Sequence, residues 1–114
     1  MAVINVSDKG ALKIKIPQKV KVGAMTYGVE IVPSMFADRS LFGEVNYANQ
    51  TIKLAGDVSA ERRFNIFVHE LYHAIKFEAG EQNDQDEREV LAVSNMLTQV
   101  FVDNGLNFGG EADE

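Results

Sequence analysis

Cysteine is absent from the 114 residues, which excludes disulfides and thiolate metal sites. Any transition-metal site must therefore be built from histidine and carboxylate. Histidine is itself scarce, with two in the whole chain. No apolar run approaches the length of a membrane span, and the N-terminus lacks the pattern of a secretory signal. A cytoplasmic location is the expectation. Cations are in the minority, 11 Lys and Arg against 17 Asp and Glu. A net charge of −6 speaks against sequence-independent binding of DNA or RNA, which needs clustered Lys and Arg. No internal repeat is visible, and the length suits one small domain over residues 1–114.

What is present is a chain that can form a core, with 46% hydrophobic residues. Its charge is uneven. Residues 9–21 carry five lysines and no acid, whereas residues 78–89 hold Glu78, Glu81, Asp84, Asp86, Glu87 and Glu89 against Arg88 alone. Two solvated surfaces account for this; a cationic peptide drawn to the acidic side is the sharper alternative.

The first half reads as β-structure. "LKIKI" (12–16) alternates as a half-buried strand does, and Pro17 ends it. "KVKVGAMTYGVEIV" (19–32) predicts two strands about a turn near Gly23, with Val20 and Val22 on one face and Tyr27, Val29 and Ile31 on another. Residues 33–42 fit either a short helical turn capped by Ser34 or a loop. "GEVNYANQTIKLAG" (43–56) predicts a hairpin of Glu44 to Tyr47 and Thr51 to Leu54.

The second half reads as helix. Asp57 or Ser59 can cap a helix over 60–79, Glu61 favours its first turn, and Gly80 suits its end. Phe64, Phe67, Val68, Leu71 and Ile75 form an apolar stripe facing the sheet. Ile66 and Phe77 lie on the side shared with the histidines, so another element covers that side. A last helix over 84–103, with Val90, Val93, Leu97, Val100 and Phe101 as its stripe, is the expected cover. The tail 106–114 frays, with Leu106 and Phe108 available to dock.

The chemistry-bearing stretch is "NIFVHELYHAIKF" (65–77). A helix puts residues four apart on one face, about 6 Å from each other, so His69 and His73 can aim at one ion. Glu70 is rotated roughly 100° from His69, beside the ion and not on it. Zinc suits two neutral imidazoles and a carboxylate, and a catalytic zinc keeps three protein ligands and a water. The ion acidifies that water and the neighbouring carboxylate takes its proton as general base. The third ligand must be acidic. Glu78 is out of reach on the same helix, and residues 80–85 form the turn, which leaves Asp86, Glu87 and Glu89. The helical wheel does not separate Glu87 from Glu89.

The run from "GEVNYANQTIKLAGDVSAERRF" through "HELYHAI" to "DEREVLAVSNMLTQV" resembles small phage- and prophage-borne metallopeptidases of the ImmA/IrrE-like, gluzincin-type group. The likeness covers about 19–105. It implies an α+β fold: a twisted antiparallel sheet packed on the HExxH helix, with a Glu ligand from the next helix. By position that ligand is Glu87, with Glu89 in reserve. Many relatives are acidic or polar where this chain has Leu91, which opens the question of what orients the histidines; Asn95, Ser94 and Asp57 are candidates. The resemblance also implies Zn2+ as cofactor and endopeptidase activity, in some members against phage or host regulatory proteins. A peptide substrate would lie along an exposed strand edge, for which Gln50 to Leu54 is the expected site. Tyr47 or Tyr27 could polarise a substrate carbonyl, although packing on the sheet is the commoner role. Tyr72 points away from the metal side. Arg62 and Arg63 balance the acidic neighbour helix. The rival readings are a non-catalytic zinc-locked interaction module and a latent peptidase that a partner opens.

Overall fold

The computed structural model describes residues 15–81 and 85–108. Of the expected strand over 12–16, residues 12–14 fall outside them, and Lys15 and Ile16 are not in a strand. Among the described residues, strand pairing starts after Pro17, with β1 (Lys19–Val22) and β2 (Met25–Val32). The two run antiparallel about Gly23, whose φ of 62° is a left-handed conformation that glycine adopts without a Cβ clash.

Pro33 stops β2, and the ambiguous segment beyond it forms a short helix, α1 (Met35–Arg39). Ser34 stands at its N-cap but makes no side-chain cap bond. Asp57 does so from a distance in sequence: its two carboxylate oxygens accept from the backbone N–H of Phe36 at 3.1 Å and Ala37 at 2.8 Å. Those bonds hold the Asp57 carboxyl below its usual range. The expected hairpin follows as β3 (Gly43–Asn46) and β4 (Thr51–Ala55).

The sheet order is β1-β2-β4-β3, and β2 pairs with β4 in parallel, Val29 opposite Ile52 and Ile31 opposite Leu54. The sheet is therefore mixed, not antiparallel as expected. The reason is the crossover: α1 and β3 carry the chain across before β4 returns beside β2 in the same direction. A second correction follows. The Gln50 to Leu54 stretch is interior, hydrogen-bonded on both sides, and among the described residues the free edge next to it belongs to β3. Val20 and Tyr27 are direct partners, so the two apolar sets of the first hairpin line one face and not two.

Two helices complete the fold. α2 (Ala60–Glu78) is capped by Ser59, whose hydroxyl accepts from the Arg62 N–H at 3.0 Å. α3 (Glu87–Asp103) is capped by Asp86 and begins later than residue 84. α2 packs on the sheet and α3 packs on α2. Tyr27, Ile52, Leu54 and Phe67 are fully buried between sheet and α2. Phe108 docks on Phe64, Phe67 and Phe101 with ring centroids 5.3–6.3 Å apart. Leu106 does not dock and stays exposed. Ile75 and Val100 lie at the stripe edges and are also exposed, whereas Ser94 is fully buried. Ile66 and Phe77 are covered by the β3–β4 hairpin instead of the last helix: Ile66 abuts Gly43, and Phe77 stacks on Tyr47 at 4.1 Å. No described helix is long and apolar enough to cross a membrane.

Candidate metal centre

The spacing of His69 and His73 places both imidazoles on the face of α2 that meets the start of α3, their centroids 5.1 Å apart. Glu87, the first residue of α3, reaches both. Its Oε2 lies 2.8 Å from His73 Nε2 and its Oε1 lies 3.4 Å from His69 Nε2. One ligand atom from each of the three falls within 4.8 Å of the others, a candidate metal-binding group.

The hydrogen bonds behind the rings decide what that group wants. Gln85 donates its amide N–H to the His73 carbonyl at 3.2 Å, which turns its Oε1 toward His73 Nδ1 at 2.8 Å. Nδ1 must then carry the proton, so in the neutral ring the Nε2 lone pair faces the Glu87 carboxylate. Two acceptors at 2.8 Å require a proton or a cation between them. His69 is set the same way, more loosely. Ser94 donates to the Leu91 carbonyl at 3.2 Å, and its oxygen stands 3.5 Å from His69 Nδ1. Burial, and then the neighbouring His73, hold His69 below its ordinary pKa, although Glu87 pulls the other way. A ring that resists protonation is a ready ligand. The donor set of two imidazoles and one carboxylate suits zinc. Ligand atoms of a tetrahedral zinc are about 3.3 Å apart; one from each of the three residues here lies within 4.8 Å of the others, so the side chains must draw together slightly to close on an ion.

The other acidic candidates have other partners. Glu89 is bound by Lys76 and accepts from the Tyr72 hydroxyl at 2.8 Å, which holds its carboxyl below the usual range. Glu78 accepts from the Tyr27 hydroxyl at 2.7 Å, Glu81 lies 3.6 Å from Lys76, and Asp86 caps α3. Asp84 is outside the described residues. Asn95 accepts from Asn65, and Asp57 serves α1, so neither orients a histidine. Gln85 does, and no sequence pattern marked it; a polar side chain in the turn between the helices is a weak signal. Replacing Gln85 by Ala should lower metal affinity by about 10- to 100-fold, as loss of such outer partners does. Competition with a chromophoric chelator would measure it, and an unchanged affinity would show that Gln85 is not needed to orient the ring.

Glu70 follows His69 on α2 and points to a different side. It is buried, and in the absence of a cation its carboxyl is pushed up to about 7, by desolvation first. His73 opposes that shift; Glu87 and Glu44 add to it. Gly43 makes the arrangement possible, because a Cβ there would sit 2.6 Å from Ile66 Cγ2 and 3.3 Å from Glu70 Cγ. Tyr47 flanks the same centre: burial, then the charges of Glu70 and Glu87, raise its pKa. Tyr27 is fully buried and donates its hydroxyl to Glu78. The arginines do not balance α3. Arg63 donates to the carbonyls of Ala55, Gly56 and Val58, fastening α2 to the end of β4, and Arg62 lies over the Phe42 ring. Tyr72 is engaged with Glu89, away from the triad, as expected.

Comparison with protein families, curated proteins and solved structures finds no match to this chain.

Proposed function

We propose that the chain is a zinc-dependent peptidase in which His69, His73 and Glu87 hold the ion and Glu70 is the general base. The observation that carries this reading is the pair of facing acceptors, His73 Nε2 and Glu87 Oε2, with a buried carboxylate on the next residue round the helix from His69. A bound zinc would supply Lewis acidity, acidifying water and polarising a carbonyl.

The protein's own groups do the rest. Glu70 accepts a proton from the attacking water on a carboxylate oxygen as the water oxygen bonds to the peptide carbonyl carbon. It then delivers that proton to the amide nitrogen, and the carbon–nitrogen bond breaks. Tyr47 keeps its phenol proton and offers it to the substrate carbonyl oxygen. The edge of β3 beside Glu70, unpaired among the described residues, binds the peptide backbone as an added strand. This edge replaces the one expected at Gln50 to Leu54. Peptides of phage or host regulatory proteins are the proposed substrates, and the cytoplasm is the proposed place of action.

A purely structural zinc needs a closed shell with a fourth protein ligand. The candidate group among the described residues has three members, and the Glu87 side chain is 69% exposed, which favours an open site. The test is to load the protein with zinc and incubate it with a mixed peptide pool, reading new termini by mass spectrometry. Cleavage that a chelator stops and added zinc restores is expected. About one zinc per chain with no cleavage of any peptide would overturn the hydrolase; no zinc binding at neutral pH would overturn the site.

A further inference from the structure

Lys76 is a buried cation that the proposed chemistry does not use; its side chain is 8% exposed. Lysine is seldom enclosed unless it is paired. Here its ammonium contacts one oxygen of Glu89, in the first turn of α3, and lies 3.6 Å from Glu81, beyond the end of α2. The Tyr72 hydroxyl donates to the other Glu89 oxygen at 2.8 Å, and the Tyr72 ring lies 5.9 Å from the ammonium. The bond to Glu89 raises the Lys76 pKa above that of a free lysine, so the enclosed group stays charged. Both oxygens of Glu89 are therefore gripped from α2.

That grip fixes the start of α3. Asp86 caps the helix through the Arg88 N–H, a local bond that does not set where the helix stands against α2. Val90 is fully buried, but apolar burial is non-directional. The bonds to Glu89 are directional, and they come from the stretch of α2 that also carries His73. Glu87 stands two residues before Glu89 with its side chain largely exposed, so its aim at the rings follows the backbone of that turn. Resting on the metal-site reading, we infer that Lys76 is a positioning residue for the metal centre: by gripping Glu89 it holds the first turn of α3 where Glu87 meets His69 and His73. Removing one partner of an enclosed ion pair is strongly destabilising. The turn then samples positions in which Glu87 misses the rings, and zinc affinity falls in proportion to the fraction of molecules still aligned.

The test measures zinc affinity of the full chain by competition with a chromophoric chelator, with no peptide present. Lys76→Met should weaken zinc binding by about tenfold or more, and Lys76→Arg, which keeps a charged donor, should recover most of the loss. Glu89→Leu breaks the same grip from its more exposed end and should match Lys76→Met, which keeps the question decidable if that variant does not fold. Glu89→Gln retains an oxygen for the ammonium and should stay near the parent. Phe108→Ala is the control: it removes a ring packed on Phe101, at the far end of α3, and should lower urea stability while leaving zinc affinity unchanged. At saturating zinc, kcat of Lys76→Met on a cleaved peptide should approach that of the parent, because the defect lies in holding the ion. Unchanged affinity in both Lys76→Met and Glu89→Leu, or an equal loss in Phe108→Ala, would overturn the inference. Zinc bound without cleavage of any peptide overturns the hydrolase alone, whereas no zinc on the parent protein removes the centre and its positioning residue together.

Discussion

Glu70→Gln should leave zinc bound and lower peptide hydrolysis by about 10²- to 10⁴-fold, the contribution of a positioned general base. Glutamine keeps the shape and cannot take the proton. Metal content by elemental analysis and kcat on one cleaved peptide measure the two halves of this expectation. Retained activity would remove Glu70 from the mechanism. The same substitution has a consequence for folding. In the metal-free protein burial raises the Glu70 pKa to about 7, above the ordinary carboxyl value. The folded state therefore holds this proton more tightly than the unfolded chain. Stability conferred by the neutral form is lost as pH rises from about 4 to 7, and above that the fold carries a buried charge. At pH 8 metal-free Glu70→Gln should be more stable than the parent by about 1–3 kcal/mol, and at pH 4 the difference should vanish. Urea titrations at the two pH values read this directly. On the peptidase reading, placing this residue for chemistry has a cost in stability.

Glu87→Gln should weaken zinc binding by about a hundredfold or more, since structural zinc sites distribute roughly 10–16 kcal/mol over a few ligands. Glu89→Gln should change it by less than about threefold, because Glu89 is spent on Lys76 and Tyr72. The contrast separates two acids on the same first turn of α3. The reverse order would transfer the ligand role to Glu89. Affinity for both proteins falls with acid, since the imidazoles must be neutral to bind.

The parts legible in the sequence were those fixed by local geometry. His69, Glu70 and His73 share a helix whose caps and period are written in a short stretch, and the β3–β4 hairpin is announced by its own turn. What failed depended on partners far along the chain. The β2–β4 pairing is parallel and crosses α1 and β3, so no local pattern shows that β4 is interior. The wheel left Glu87 and Glu89 equivalent; the tie is broken by Lys76 and Tyr72 on α2, which hold Glu89 off the site. Asp57 precedes α2 and reads as its cap, yet it closes the start of α1 because the two segments meet only in the fold.

The three candidate ligands are not equally enclosed. His73 has a side chain 9% exposed, His69 22%, and Glu87 69%. Two jaws are set in the wall of α2, and the third is an arm open to water. If the group holds a cation, the exposed carboxylate is the ligand water can replace first, so ion exchange is expected to need a rotation of Glu87 and no unfolding of the helices.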